Sequence, residues 1–532
     1  MASDGATRLV GYDHWGKRSV NGAETLVRTL LASGVTTCFA NPGTSEMHFV
    51  AALDRVPGMR CVLCLFEGVA TGAADGYGRM AEKPAITLLH GGPGLANGLA
   101  NLHNARRARS PIVNVVGDQA SYHRPLDPPL TADTEGWARG LSAWTRVVAS
   151  VATIGQDAAA AVQAARTGHG QIATLIAPAD TCWDDGGTEG APLPPLAADK
   201  VAPHVIQQIA AILRGNRPVT MILGGSPIRS TMITDAYRIA AATGAKLIAA
   251  PFNARVERGR GRHPIPRLPY GIDQAMDVLA DAAHIVLIGA APPVAPFAYP
   301  GKPGYLFPKE AGLHVLARPE QDVGDALARL ADALSAPAVD GPKPQAIARP
   351  TGGEINPQSI GQSLAALLPE GAIVIDESVS FGRAFFNDLA GAAPHDWLQI
   401  TGASIGSGLP MATGAALAAP DRRVVALQAD GSALYTVQAL WTQAREKLPV
   451  TTVLLSNRRY AILLNELTNV GANPGRVALD MMSLGDPDLG WLKIAEGMGI
   501  EAARATTVTD FQDVFAQANK ARGPFLIELA IA

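Results

Sequence analysis

Cysteine, aromatic and charged residues are all scarce in this chain of 532 residues. Its four cysteines favour a reducing compartment, and we therefore expect a cytoplasmic protein. Cys61 and Cys64 form a C-x-x-C pattern, but they lie in the apolar stretch RCVLCLF, which predicts core thiols rather than a redox or zinc site. A formal net charge of −3 and the lack of a basic tract argue against a nucleic-acid partner.

Long hydrophobic runs are also missing. No apolar stretch reaches the ~20 residues that a membrane-spanning helix needs, so we expect no membrane association. The first residues, MASDGATRLVGYDHWGKR, lack the apolar centre of a signal peptide, and we interpret residues 1–20 as an N-terminal extension. The chain has instead a hydrophobic share of 48%, rich in alanine and glycine, which suits closely packed helices on sheets. At this length about three domains are expected.

Strand-like and helix-like segments alternate along the chain. VTTCFA, MRCVLCLF, PAITLLH and PIVNVVGD each predict a buried strand, and Ala/Gly-rich helices lie between them. Near-continuous apolar strands of this kind indicate parallel sheets that are covered on both faces. Two connectors rich in Pro, Gly and Ala span 184–203 and 335–357. They predict an N-terminal domain at 21–184, a central domain at 203–335 and a C-terminal domain at 357–532.

The C-terminal part repeats the pattern of the N-terminal part. Residues 148–179 and 503–532 both read as strand, helix, glycine and final strand, which predicts two sheets of similar topology. Ligands of open parallel sheets bind beyond the carboxyl ends of the strands. Asp430 and Asn457 should both lie at such ends, because each follows an apolar strand.

The turn Asp430-Gly431-Ser432 has two interpretations. Asp and Ser cap helices and Gly forms turns, so the turn can simply lead from strand to helix. Alternatively, a carboxylate, the Asn457 amide oxygen and a backbone carbonyl can supply hard oxygen ligands for Mg²⁺. The helix start at Ser432 would add N–H groups for a phosphate.

The spacing D-G-S-x₂₄-N resembles the thiamine-diphosphate signature G-D-G…N-N of enzymes related to acetolactate synthase, pyruvate decarboxylase and benzoylformate decarboxylase. Ala429 and Ser456 depart from it, where the family has Gly and Asn. The resemblance implies an α/β fold with three doubly wound parallel-sheet domains. The N-terminal domain would bind the pyrimidine of the cofactor, the second would be the central domain, and the C-terminal domain would bind the diphosphate. It implies Mg²⁺ ligands at Asp430, Asn457 and the Arg459 carbonyl, with Gly431, Ser432 and Tyr460 at the cofactor.

CVLCLFEGVATGAADGYGRM resembles the family's stretch of strand, glutamate and helix. The resemblance implies that Glu67 hydrogen-bonds the aminopyrimidine ring of the cofactor. The alternative is a charge at a helix start that faces water, which is also common. Other loops resemble further cofactor contacts, with the Ala403 carbonyl facing the 4′-amino group and Ile405 supporting the bent cofactor. The remaining contacts implied are Gly43, Asn97, Ser378 and Ser380.

His90 and Thr44 bear on the choice of reaction. In L-H-G-G-P-G and N-P-G-T-S-E they resemble substrate-contacting residues of benzoylformate decarboxylase, where a hydroxyl and an imidazole could bind a 2-oxo acid and move protons. A second histidine of that enzyme has no counterpart near 290–300. RRYAILLNEL lacks the Q-G-M-V pattern of acetolactate synthases, and the absence of G-x-G-x-x-G predicts no functional FAD.

The resemblance implies a thiamine-diphosphate- and Mg²⁺-dependent enzyme that cleaves or forms a C–C bond beside a carbonyl. Decarboxylation of a 2-oxo acid, with capture of the product by an acceptor as a second outcome, is the leading hypothesis. The alternatives are an acetolactate synthase, a 2-hydroxyacyl-CoA lyase and a degenerate cofactor-binding subunit without activity. The resemblance also implies a homodimer as the smallest active unit and a homotetramer as the assembly.

Overall fold

A computed structural model describes residues 20–342, 347 and 349–531. The predicted extension at 1–20 lies outside the described residues apart from Val20. The described chain forms three sheets with helices packed on their faces. Their strands run parallel, apart from one antiparallel edge strand in the third sheet. This arrangement confirms the predicted α/β fold of three parallel-sheet units.

The first sheet lies in the N-terminal third of the chain. Its strands are β1 (Thr37–Asn41), β2 (Arg60–Leu63), β3 (Ala85–Leu89), β4 (Ile112–Asp118), β5 (Trp144–Val147) and β6 (Ile172–Pro178). Its helices are α1 (Gly22–Ala32), α2 (Met47–Arg55), α3 (Glu67–Ala81), α4 (Gly91–Ala108), α5 (Thr134–Arg139), α6 (Ile154–Arg166) and α7 (Ala179–Trp183). The strands run parallel in the order β2-β1-β3-β4-β6-β5.

The second sheet has four parallel strands. Its segment contains the strands β7 (Val219–Leu223), β8 (Lys246–Ala249), β9 (Val256–Arg258), β10 (His284–Ile288) and β11 (Gly312–Ala317). The helices are α8 (Pro203–Leu213), α9 (Ser230–Thr243), α10 (Ile272–Leu279) and α11 (Val323–Ala333). The strand order is β11-β10-β7-β8. Strand β9 is not part of this sheet and pairs with the third sheet instead.

The third sheet is formed mainly by the C-terminal part. Its strands are β12 (Ile373–Glu377), β13 (His395–Gln399), β14 (Val424–Ala429), β15 (Val450–Ser456), β16 (Glu501–Ala505) and β17 (Phe525–Ala530). Its helices are α12 (Pro357–Leu367), α13 (Phe385–Asp388), α14 (Gly408–Ala418), α15 (Asp430–Ala433), α16 (Ala439–Arg445), α17 (Ala461–Asn469), α18 (Arg476–Asp480), α19 (Trp491–Gly497) and α20 (Val508–Ala518). The order is β16-β17-β15-β14-β12-β13-β9.

The predicted internal repeat is present in the topology. The strands of each sheet can be numbered by their order along the chain. Numbered in this way, the first sheet and the six parallel strands of the third sheet have the same spatial strand order. The third sheet differs only by β9, which pairs antiparallel with β13 through Val256 and Trp397. The predicted central segment therefore contributes a strand to the C-terminal sheet, although the domain boundaries themselves stay a prediction.

Helices α3 and α14 hold the first and third sheets together. A Cβ at Gly414 would lie 1.8 Å from the Ala73 carbonyl oxygen, and one at Gly76 would lie 2.1 Å from the Met411 carbonyl oxygen. The two backbones therefore approach as closely as glycine allows. The two helices pack on each other within one chain.

One local prediction is wrong. Cys61 is exposed, because β2 is the edge strand of the first sheet, whereas Cys64 is buried as predicted. The segment SFGRAFFNDL forms only the single turn α13 (Phe385–Asp388), with a short 3₁₀ turn after it. Phe385 and Phe386 are buried in that single turn, so tertiary packing rather than helix propensity sets its length.

Candidate functional site

Glu67 lies at the carboxyl edge of the first sheet, in the first turn of α3. Its side chain is buried, with the residue 6% exposed, and its Oε2 accepts a hydrogen bond from Asn97 Nδ2 at 3.0 Å. Gly94 on α4 leaves the space beside it, since a Cβ there would lie 3.2 Å from Glu67 Oε1 and 3.4 Å from His90 Cβ. Three predicted site residues, Glu67, Asn97 and His90, are therefore neighbours, and Glu67 does not face water.

Glu46 also belongs to this group of neighbouring residues, although the sequence patterns did not identify it as a site residue. Its Oε2 accepts the Gly43 N–H at 2.7 Å and lies 2.9 Å from His90 Nδ1. Gly43 packs on the imidazole, because a Cβ there would lie 2.3 Å from the ring. Thr44, the next residue, is exposed beside it. The spacing of Glu46 three residues after Gly43 is the usable signal, since carboxylates at that position cap short helices.

Asp430 lies at the carboxyl edge of the third sheet, where β14 ends. Its Oδ1 accepts the Gly431 N–H at 2.8 Å and its Oδ2 accepts the Arg458 N–H at 2.7 Å. Burial raises the pKa of this carboxyl above its usual value, although the backbone N–H groups act in the opposite direction. Among the described residues no basic side chain pairs with it, since the Arg458 guanidinium contacts Asp488 instead. A buried carboxylate without a cation is a suitable ligand for a metal ion.

Asn457 lies next to Asp430, at the end of the neighbouring strand β15. Its Oδ1 accepts the Arg459 N–H at 3.1 Å, and Arg458 between them adopts a left-handed φ of 56°. The described part of the chain contains no group of three or more His, Cys, Asp or Glu side chains placed for a metal. A metal at Asp430 and Asn457 would therefore rely on one carboxylate, an amide oxygen, a carbonyl and oxygens from a ligand.

Two further loops at this edge carry strained backbone. Val379, between Ser378 and Ser380, has φ 52°, and Ala403 has φ 59°. A left-handed φ is unusual for residues other than glycine and is a clear outlier for a β-branched side chain. Such strain is kept mainly at functional sites. The Ser378 hydroxyl donates to Asp376 at 2.6 Å, so this side chain is already engaged within the protein.

A buried glutamate holds the loop of Ala403 and Ile405. Glu377, at the end of β12, accepts the Gly406 and Gly408 N–H groups, each at 2.6 Å. Burial raises the pKa of the Glu377 carboxyl, while these N–H groups lower it. Within the loop Ala403 is exposed and Ile405 half-buried, which leaves both accessible to a bound molecule.

Gln428 connects that glutamate to the turn at Asp430. Its Nε2 lies 3.2 Å from Glu377 Oε2 and 2.6 Å from the Ser432 hydroxyl oxygen. Gly431 packs on Tyr460, because a Cβ there would lie 2.5 Å from the ring. The predicted residues Gly431, Ser432 and Tyr460 are therefore together, and Ser432 is held by protein groups on both sides.

The two edges approach each other within one chain. Asn101 Nδ2 donates to the Gly68 carbonyl at 2.8 Å and to the Gly406 carbonyl at 3.4 Å. Asn104 Nδ2 donates to the Ser404 carbonyl at 2.7 Å. Helix α4 therefore connects the start of α3 with the loop of Ala403 and Ile405.

A cavity of about 870 Å³ lies between the three sheets and extends to Ala403. It reaches the carboxyl ends of β7 and β10 at Gly224 and Gly289, and basic side chains such as Arg109, Arg229 and Arg255 line its other side. A cavity at this point is where doubly wound sheets commonly bind ligands. The prediction that no FAD binds this chain stays a prediction.

Comparison with known families identifies the class of this fold and site. Residues 20–137 match the model of the N-terminal TPP-binding domain of thiamine pyrophosphate enzymes, and residues 386–529 match the model of the C-terminal one. The chain belongs to the thiamine pyrophosphate enzymes, which confirms the resemblance seen in the sequence. Its cofactor is thiamine diphosphate, and its substrates are small carbonyl compounds.

Individual relatives match over almost the whole chain. A Mycobacterium tuberculosis protein named "Putative acetolactate synthase large subunit IlvX" is 50% identical over 518 residues, which cover 96% of this chain and 99% of that protein. Benzoylformate decarboxylase of Pseudomonas aeruginosa is 29% identical over 526 residues, covering 93% and 96%. The solved 4-hydroxybenzoylformate decarboxylase of Rhodococcus jostii superposes with a TM-score of 0.80 at 26% identity, covering 96% and 98%.

None of the helices in the described ranges is both long and apolar enough to cross a membrane.

Proposed function

We propose that this enzyme decarboxylates a 2-oxo acid with thiamine diphosphate and Mg²⁺, and that it can transfer the remaining fragment to an acceptor aldehyde. The observation that carries the proposal is the position of His90 beside Glu67, since a Cβ at Gly94 would lie within 3.4 Å of both side chains. An imidazole in that position is a suitable proton donor and acceptor for a substrate at the pyrimidine edge. Two relatives with decarboxylase names support the same reaction.

The chain's own residues would then have separate tasks. Glu67, held by Asn97, would hydrogen-bond the pyrimidine ring of the cofactor, and His90 with Thr44 would contact the substrate. The loop of Ala403 and Ile405 would support the bent cofactor and exclude water from it. When bound, thiamine diphosphate supplies an electron sink beside the substrate carbonyl, which allows the adjacent C–C bond to break.

The residues at the third sheet fit a metal diphosphate. Asp430 is buried and has only backbone N–H partners, so a divalent cation would balance its charge. Asn457 and the Arg459 carbonyl would complete the protein ligands, as the family resemblance implies. Helix α15 begins at Asp430, and the Ser432 N–H in its first turn would face the proposed diphosphate.

The main alternative is an acetolactate synthase, which the name of the 50% identical relative favours. A 2-hydroxyacyl-CoA lyase is a third reaction on the same cofactor. A degenerate subunit is the alternative outside catalysis, because Ala429 and Ser456 depart from the family signature. However, Ala429 uses its carbonyl to accept the Ser432 hydroxyl at 3.1 Å, a contact that glycine would make equally well. This departure therefore leaves that hydrogen bond within the turn unchanged.

A substrate panel tests the proposal. The purified protein with thiamine diphosphate and Mg²⁺ should release CO₂ from at least one acid among benzoylformate, 4-hydroxybenzoylformate, pyruvate and 2-oxobutanoate. Acetolactate formed from pyruvate would favour the synthase instead. Cleavage of a 2-hydroxyacyl-CoA, with no release from the free acids, would favour the lyase. A protein that binds the cofactor but converts none of these compounds would support the degenerate subunit.

We also propose that the active enzyme is a homodimer, and that dimers pair into a tetramer. Apolar side chains are exposed beside both edges, namely Met47 next to Glu46, Leu65 near Glu67, and Tyr435 against Gly406. Exposed apolar groups around a polar site support a second chain that covers it. The cytoplasmic location that the low cysteine content indicates stays a prediction.

Complementation tests shared sites. Chains with Glu67→Gln and chains with Asp430→Ala should each retain very little activity, and mixing them after partial dissociation should restore roughly a quarter of the parent activity. Half of randomly mixed dimers are hybrids, and a hybrid with shared sites has one intact site. Native mass spectrometry checks that hybrids have formed. Hybrids without activity would mean that each site is built within one chain.

A further inference from the structure

Glu46 makes contacts that a helix cap alone does not require. It is 2% exposed and ends the short turn Thr44–Glu46, where its Oε2 accepts the Gly43 N–H at 2.7 Å. The same oxygen lies 2.9 Å from His90 Nδ1, although His90 is 44 residues away along the chain. The carboxylate therefore connects the turn to the histidine of the proposed active site.

Two glycines make room for this carboxylate and for the imidazole beside it. A Cβ at Gly117, near the end of β4, would lie 1.6 Å from Glu46 Oε1. A Cβ at Gly43 would lie 2.3 Å from the His90 ring. The carboxylate therefore packs directly on the backbone of Gly117, and the imidazole packs on that of Gly43. Neither group can move toward these backbones without a steric clash.

The hydrogen bonds determine which nitrogen of His90 carries the proton. An ionised carboxylate can only accept hydrogen bonds, so Oε2 accepts from both the Gly43 N–H and Nδ1, and Nδ1 is the donor. In the neutral ring Nε2 is then unprotonated. Within the described residues no protein group hydrogen-bonds Nε2, and the ring is partly exposed, so Nε2 can meet a substrate.

Because the Glu46 carboxylate is buried, its pairing with His90 is important for its stability. Glu46 Oε1 has no hydrogen-bond partner among the described residues, and His90 is the only basic side chain that pairs with the carboxylate. Burial raises the pKa of the Glu46 carboxyl, while the Gly43 N–H and His90 lower it. A buried carboxylate is costly without a partner, and this one directs its acceptor oxygen to His90.

We propose that Glu46 is the positioning residue of His90, which it holds in the Nδ1–H tautomer with Nε2 directed at the substrate. This rests on the proposed function, since His90 has a chemical role only if a substrate binds beside it. His90 Nε2 can then accept a proton and later return it. The positive charge that the ring carries in between faces the Glu46 carboxylate.

Glu46→Gln tests the proposal in the enzyme with bound cofactor. We expect kcat to fall ~10–10³-fold with KM changed by less than about 3-fold, because an orienting group acts on the chemical step. In the double variant with His90→Ala, Glu46→Gln should cost nothing further, since Glu46 acts through His90. Equal losses in the presence and absence of His90 would overturn the proposal.

A second measurement does not depend on turnover. Solid-state ¹⁵N NMR of histidine-labelled protein, with His90→Ala subtracted, reports which ring nitrogen carries the proton. We expect Nδ1–H in the parent and a changed tautomer in Glu46→Gln, whether or not a substrate is found. An unprotonated Nδ1 in the parent would overturn the proposal. The substrate panel alone would reveal failure of the proposed function.

Asp157→Asn is the matched control. Asp157 is also a buried carboxylate, 5% exposed, but it pairs with Arg146 on β5 at 2.7 Å. Asp157→Asn should lower the free energy of unfolding and leave both kcat and the His90 tautomer unchanged. If Glu46→Gln fails to fold, Gly43→Ala replaces it, because its Cβ displaces the imidazole while Glu46 stays intact. Unchanged kcat in Gly43→Ala would then contradict the proposal.

Discussion

Glu67→Gln should lower turnover by ~10²–10⁴-fold while cofactor binding weakens only modestly. The substitution keeps the side-chain volume and removes the charge at the position where Asn97 donates its hydrogen bond. Proton exchange at C2 of bound thiamine diphosphate, followed by NMR in D₂O, should slow in parallel. This measurement needs no substrate, so it tests the role of Glu67 even before the substrate is known.

Glu24→Gln is a suitable control for that experiment. Glu24 is also a buried glutamate in the first turn of a helix, 8% exposed, but it pairs with Arg55. Its substitution should reduce stability and leave the exchange rate unchanged. Unchanged C2 exchange in Glu67→Gln would exclude the proposed role and return this residue to a structural one.

Asp430→Ala should abolish Mg²⁺-dependent binding of thiamine diphosphate. The loss should exceed the roughly 10–100-fold that removal of a metal ligand's supporting residue costs, because Asp430 would be a ligand itself. The fold should survive, since the residue ends a strand and its side chain contacts backbone N–H groups rather than the core. Leaving these N–H groups without acceptors should cost about 1–3 kcal/mol of unfolding free energy. Titration calorimetry measures the binding, and thermal unfolding without cofactor measures the fold.

Asp488→Ala is the control for this variant. Asp488 is an exposed carboxylate that contacts the Arg458 guanidinium, so it lies near the same turn without pointing into it. Exposed ion pairs contribute little, and its loss should leave cofactor binding unchanged. Binding by Asp430→Ala as tight as that of the parent would show that the metal assignment is wrong.

Local patterns in the sequence were enough for the alternation of strands and helices and for the internal repeat. A buried parallel strand is mostly apolar, so β3, β4, β14 and β15 are visible in the sequence alone. Because the carboxyl ends of parallel strands share one edge, the neighbouring positions of Asp430 and Asn457 followed from the same patterns. The family signature supplied the cofactor, which local physics would have left undetermined.

Strand order and long-range contact were decided only by the tertiary structure. The apolar residues around Cys61 predict a buried strand, but β2 lies at the edge of the sheet and exposes that thiol. The antiparallel pairing of β9 with β13 connects segments more than 130 residues apart, which no local pattern records. The pairing of Glu46 with His90 has the same origin. Two strand ends bring these residues together, and the absence of side chains at Gly43 and Gly117 gives the carboxylate the space to reach the imidazole.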